Sequence, residues 1–130
     1  VQGTRRCHNL MTSSSLYPPS FWTLLEQLIA SSEIVIDRPK LSAHPSFSDL
    51  VYPLDYGYLN GTQAMDGDGI DVWLGSMPIS NLVGLAVTVD LDKKDAEIKL
   101  LLGCTQQEIC LVMGFLNGYN MRAWYVSRQD

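Results

Sequence analysis

Positive charge is scarce in this chain. Nine Lys and Arg stand against 14 Asp and Glu, giving a net charge of −5 and a pI near 4.8. No Lys/Arg cluster could neutralise phosphates in number, so nucleic acid is not an expected partner. Histidine is limited to His8 and His44, both in loop-like segments, and no Ser/His/Asp signature can be drawn. The three cysteines (Cys7, Cys104 and Cys110) are odd in number and lack metal-ligand spacing. That fits free thiols in a reducing compartment, with Cys104 and Cys110 read as small core hydrophobes. No apolar run approaches the roughly 18 residues needed to span a bilayer. The first residues hold no apolar segment with a small-residue cleavage site, so the cytoplasm is the expected compartment. There is no GxxxxGK[ST] loop and no GxGxxG after a strand, hence no glycine cradle for a nucleotide.

What remains suits one domain of 130 residues, 46% hydrophobic and 18% charged. Residues 1–19 are polar and read as a disordered or leader segment, with Met11 as a candidate true start. Residues 20–130 form the single domain. Ser20 caps a helix in which Phe21, Leu24, Leu25, Leu28 and Ile29 recur at helical spacing, Phe21 and Trp22 being read as packing residues. Glu33–Asp37 reads as a β-branched strand stopped by Pro39. Residues 40–48 form a loop in which His44 is expected to face solvent. Leu50–Leu59 is extended and ends at the Asn60-Gly61 turn signal. Ile70–Leu74 is a strand with Asp71 on one face and Ile70, Val72 and Leu74 on the other. Leu82–Leu91 and Ala96–Leu102 make a hairpin around a charged turn, with Glu97 and Lys99 on one face, either solvated or aimed into a common site. Thr105-Gln106-Gln107-Glu108 is a capping box, followed by an apolar stripe of Ile109, Val112, Met113 and Leu116. Met121–Ser127 closes the chain as an edge strand.

The densest chemistry lies in Tyr52–Gly75, YPLDYGYLNGTQAMDGDGIDVWLG. Asp66, Asp68 and Asp71 place three carboxylates within six residues. Two unit charges about 4 Å apart repel by roughly 4 kcal/mol at an effective dielectric of about 20. Such groups share a fold only with a cation, a shared proton or open water between them. A calcium loop needs an oxygen ligand at position five, Gly at six and Glu at twelve. Those places hold Ile70, Asp71 and Met77, so that reading fails. A magnesium cluster and a solvated acidic turn both stay open. Carboxylates plus water plus substrate phosphates suit magnesium, and oxygen donors also admit manganese. Tyr52, Tyr56 and Tyr58 add phenols that can donate to an anion.

YPLDYGYLNGT followed by DGDGIDVWL resembles the soluble, magnesium-dependent inorganic pyrophosphatases of the OB-fold type. Asp66, Asp68, Asp71 and Val72 match their Asp-x-Asp-x-hydrophobic-Asp-hydrophobic motif. Tyr52, Pro53, Tyr56 and Gly57 match the preceding Tyr-Pro-x-Asn-Tyr-Gly segment, with Asp55 in place of Asn. Asp92, Glu97 and Lys99 reproduce a downstream Asp, Asp, Lys spacing with Glu for the second Asp. Asp37 stands in place of a metal-site Glu, and Tyr119 keeps the Tyr of a Tyr-Lys pair whose Lys is here Asn120.

The resemblance implies an α+β fold, a small OB-like five-stranded β-barrel with an N-terminal and a C-terminal helix. It implies hydrolysis of inorganic pyrophosphate to two phosphates by metal-activated water, with Mg²⁺ as cofactor. Asp66, Asp71 and Glu97 would hold the first ion; Asp92 and Asp37 would serve additional metals. Asp68 would take the proton from the bridging water, and Lys99, Tyr56 and Tyr119 would bind phosphate oxygens. The family's Lys near Ser46-Phe47-Ser48 and its Arg-bearing hairpin are absent here, with Arg38, Lys40 and Arg122 as candidate replacements. A homo-oligomer whose neighbour supplies the missing cations is compatible with these gaps. So are a hydrolase of another phosphoanhydride and a non-catalytic relative that binds metal and phosphate.

Overall fold

The computed structural model describes residues 20–65 and 67–129. The reading of residues 1–19, Cys7 and the metal role of Asp66 therefore lie outside the described residues. Helix α1 (Phe21–Ala30) starts where Ser20 accepts from the Thr23 N–H at 3.1 Å. Strands β1 (Glu33–Arg38), β2 (Asp55–Asn60) and β3 (Ile70–Leu74) follow, then β4 (Leu82–Asp90) and β5 (Asp95–Leu102). Helix α2 (Gln106–Leu116) and strand β6 (Met121–Ser127) complete the order. The capping box of α2 is reciprocal: Thr105 Oγ1 accepts from Glu108 N at 3.2 Å, and Thr105 N donates to Glu108 at 2.8 Å. Glu108 also accepts from Ser76 N, tying the helix start to the loop after β3.

The α+β class holds, but the barrel does not. Six strands form one mixed sheet in the order β1-β2-β3-β5-β4-β6, and among the described residues no ladder joins β1 to β6. Among the described strands, only β3 and β5 pair in parallel. Closure is replaced by helices on both faces. Alternate residues of the central strands point opposite ways and both sets are buried, as when a sheet is covered twice. On one face Trp22 and Leu25 of α1 meet Leu59, Val72, Leu85, Leu100 and Leu102. On the other, Ile109, Val112 and Leu116 of α2 meet Tyr52, Leu54, Trp73, Ala86 and Leu101. Arg128, just past β6, pairs with Glu26 of α1 and ties the chain end to the first helix.

Several local expectations need correction. Strand β2 begins at Asp55, not Leu50, its pairing with β1 starts at Tyr56, and Val51 makes only an isolated bridge with Ala43. Phe21 is exposed while Trp22 is buried, because α1 rests on the sheet by a narrow stripe. Cys110 is exposed on the outer side of α2; Cys104 is buried, which pushes its thiol up to about 12. His44 is half-buried, because its ring lies parallel to that of Tyr52 at 5.9 Å.

Candidate active site

The site is built on the face covered by α2. In β3, residues alternate so that Asp71 shares this face with Trp73, and Tyr56 of β2 lies opposite Trp73. The parallel register sets Lys99 of β5 beside Asp71, and the antiparallel one sets it beside Ala86 of β4. Glu97, two residues earlier on β5, falls on the same face opposite the buried Thr88.

These side chains meet at one ammonium. Lys99 Nζ donates to Tyr56 OH at 2.8 Å, to Asp71 Oδ2 at 2.8 Å and to Glu97 Oε1 at 3.0 Å. It also lies 5.4 Å from the centre of the Tyr56 ring. An ammonium has three hydrogens, so its donor capacity is filled. The Lys99 side chain keeps 8% exposure, against 26% for Asp71 and 15% for Glu97. Burial works to lower the Lys99 pKa, but Tyr56 and Asp71 outweigh it and hold the amine above the ordinary lysine value. Burial raises the Tyr56 phenol, which stays neutral, and likewise raises the Glu97 carboxyl.

In front of Lys99 and Tyr56 opens a cavity of about 530 Å³. Asp37, Asp92 and Tyr119 line it, together with Arg38 and Lys93. Asp37 and Arg38 reach it from a bulge in β1, where the register against β2 shifts between Ile36 and Arg38. Asp92 and Lys93 are set by the hairpin turn, in which both their N–H groups donate to Asp90 Oδ1 at 3.0 and 3.1 Å. Asp92 in turn accepts from Asn120 at 2.9 Å, and Tyr119 donates to Asp49 at 2.7 Å while stacking on Phe47. His44 Nδ1 accepts from the N–H groups of Ser46 and Phe47 at 3.0 and 3.2 Å. Burial, with Arg38 and Lys93 nearby, lowers its pKa, so the ring is neutral at pH 7.

The structure thus gathers Tyr56, Asp71, Glu97 and Lys99 at one point, and Asp37, Asp92 and Tyr119 around the adjoining cavity. Asp71 and Glu97 touch Lys99 but are not among the residues lining that cavity. Asp68 is exposed in the loop between β2 and β3. Among the described residues, no three His, Cys, Asp or Glu are grouped to hold a metal ion. The donor chemistry still suits magnesium, which binds through one or two carboxylates plus substrate phosphates. Asp71 and Glu97 already converge on a single cationic centre. Of the candidate replacement cations, Arg38 lines the cavity, whereas Lys40 and Arg122 do not. Lys93 and Asp49 were not legible as site residues: one sits in a turn that reads as solvated charge, the other precedes the motif.

No family model matches the chain, and no curated protein matches it in sequence. Solved structures do match. An inorganic pyrophosphatase from Coxiella burnetii is 15% identical with a TM-score of 0.50, covering 75% of this chain and 84% of that one. One from Neisseria gonorrhoeae is 18% identical with a TM-score of 0.50, covering 74% and 75%. At these identities the likeness establishes a shared fold. Among the described residues, no helix is long and apolar enough to cross a membrane.

Proposed function

We propose that the protein hydrolyses inorganic pyrophosphate to two phosphates, with Mg²⁺ as cofactor. The observation that carries this reading is the convergence of Asp71, Glu97 and Tyr56 on the Lys99 ammonium beside the cavity. It joins a fold shared with pyrophosphatases to the motif residues of the Tyr52–Leu74 stretch. Asp71 and Glu97 would hold the ion together with Asp66, and Asp92 and Asp37 would hold further ions. Bound magnesium would offset phosphate charge and polarise the phosphoryl oxygens.

The side chains then divide the work. Lys99 has its hydrogens on Tyr56, Asp71 and Glu97, and it turns to phosphate oxygens once those carboxylates have another counter-charge. Tyr56, kept neutral by burial, donates to the same oxygens, and Tyr119, which also lines the cavity, joins it by exchanging its hydrogen bond to Asp49 for one to phosphate. Arg38 and Lys93 supply the fixed positive charge that the missing hairpin and lysines would have given. Asp68 takes the proton of the attacking water, the water oxygen bonds to phosphorus, and the bridging P–O bond breaks. Charged donors of this kind are typically worth a few kcal/mol of transition-state stabilisation each.

A second reading, a non-catalytic relative that binds metal and phosphate, draws on the saturation of the Lys99 donors. Phosphate release separates the two. With pyrophosphate and Mg²⁺, release is expected above an Asp68→Asn control and is abolished by EDTA. Tight pyrophosphate binding in calorimetry with no release in either condition would overturn the catalytic reading.

A further inference from the structure

The cavity is larger and more aromatic than pyrophosphate requires. Its 530 Å³ falls inside the roughly 300–1,000 Å³ of sites that enclose drug-sized ligands. One wall is a continuous run of rings. Tyr52 lies 4.7 Å from Phe115 and 5.8 Å from Trp73, His44 is parallel to Tyr52, and Phe47 stacks on Tyr119 at 3.9 Å. Tyr52 and Trp73 belong to the buried core, but Tyr119 is 50% exposed and His44, Phe47 and Phe115 are half-buried, so the outer part of this wall is open. The cations Arg38, Lys93 and Lys99 also line the cavity. Pyrophosphate is charged over its whole surface and gains nothing from rings. An anion carrying a flat organic group uses both parts.

We infer that this cavity accepts a nucleoside di- or triphosphate, its phosphates toward Arg38, Lys93 and Lys99 and its base against the aromatic wall. The inference rests on the hydrolytic site proposed above and widens its substrate class from pyrophosphate to nucleoside polyphosphates. Rings favour a planar base, since every base has a π-face that stacks on aromatic side chains. The polar rim favours a sugar over an alkyl chain, because Asp37, Asp92 and Asn120 line the cavity and can pair with hydroxyls. With His44 Nδ1 occupied by two backbone donors, its proton sits on Nε2, which adds a donor for a base edge. Hydrolysis of a nucleoside diphosphate would balance as for pyrophosphate. Water oxygen bonds to the terminal phosphorus, the bond from that phosphorus to the bridging oxygen breaks, and Asp68 takes the water proton. The products are a nucleoside monophosphate and phosphate.

Binding tests this without requiring turnover. An α,β-methylene nucleoside diphosphate, methylenediphosphonate and an alkyl methylenediphosphonate are titrated calorimetrically into the full chain with Mg²⁺. The nucleoside compound is expected to bind at least tenfold more tightly than either of the others. Phe47→Leu, checked for folding by circular dichroism, is expected to reduce that preference severalfold. Equal affinity for all three, no binding of the nucleoside compound, or tighter binding of the alkyl compound would overturn the inference. A tenfold nucleoside preference without phosphate release from any substrate would leave it standing while removing the hydrolytic reading.

Discussion

Replacing Lys99 by methionine is expected to destabilise the fold by about 3–5 kcal/mol at neutral pH. Breaking a buried ion pair from one side leaves the partner charge uncompensated, and that is its usual size. Here two carboxylates are left, Asp71 and Glu97, both drawn to the vacated point. The 26% exposure of the Asp71 side chain moves the expectation toward the lower end. The pH dependence has a definite sign. Glu97 has a folded pKa raised by burial, so its contribution is present at low pH and lost as pH rises through that value. Lys99 has a raised pKa too, so its contribution is whole below the ordinary lysine value and lost only in strong alkali. Without Lys99 the first dependence acts alone. The deficit of Lys99→Met relative to wild type, read from urea midpoints, should therefore shrink as pH falls into the carboxylate range. A deficit that stays constant from pH 7 to pH 4 would mean the three groups are not electrostatically joined.

Gly57→Ala is expected to be comparably severe, at about 3 kcal/mol or more. A Cβ at this position would lie 1.8 Å from the Val35 carbonyl oxygen, 2.7 Å from its carbon and 2.9 Å from Ile36 Cα. All three are backbone atoms, so no rotamer change relieves the clash. Gly57 pairs with Ile36 just before the bulge of β1, and the added methyl would push away the strand that carries Asp37 and Arg38 to the cavity. Gly61→Ala is the informative contrast. Nothing lies within 4 Å of its Cβ, and only the positive φ of 84° resists the change, a penalty of about 1 kcal/mol. Urea denaturation of both variants checks the difference, and equal losses would show that close approach of β1 is not what Gly57 permits.

Much of the fold was legible because hydrophobic period and turn chemistry act locally. Strand β3 and strand β6 fall at the residues that alternation and proline placement suggest, and the Thr105 capping box forms as its spacing dictates. The failure to close a barrel was not legible. Closure depends on which strand edges find each other, and here helices cover both faces of the sheet instead. The same limit applies to the site. Glu97 and Lys99 share a face by local alternation, but β4 intervenes in sequence between β3 and β5. The parallel pairing that brings Asp71 to Lys99 is therefore a long-range event without a local signal. His44 illustrates a milder case, where a loop residue beside proline gave no sign of the ring against which it packs.

The most direct test of the catalytic proposal is phosphate release from pyrophosphate under Mg²⁺ by wild type beside Asp71→Asn. Asparagine keeps the shape and removes the charge that Lys99 and a divalent ion would share. Magnesium-dependent release by wild type, falling at least a hundredfold in Asp71→Asn while the variant remains folded, is the expected result. Equal release by the two proteins, or none by wild type, would contradict a hydrolytic site centred on Asp71, Glu97 and Lys99.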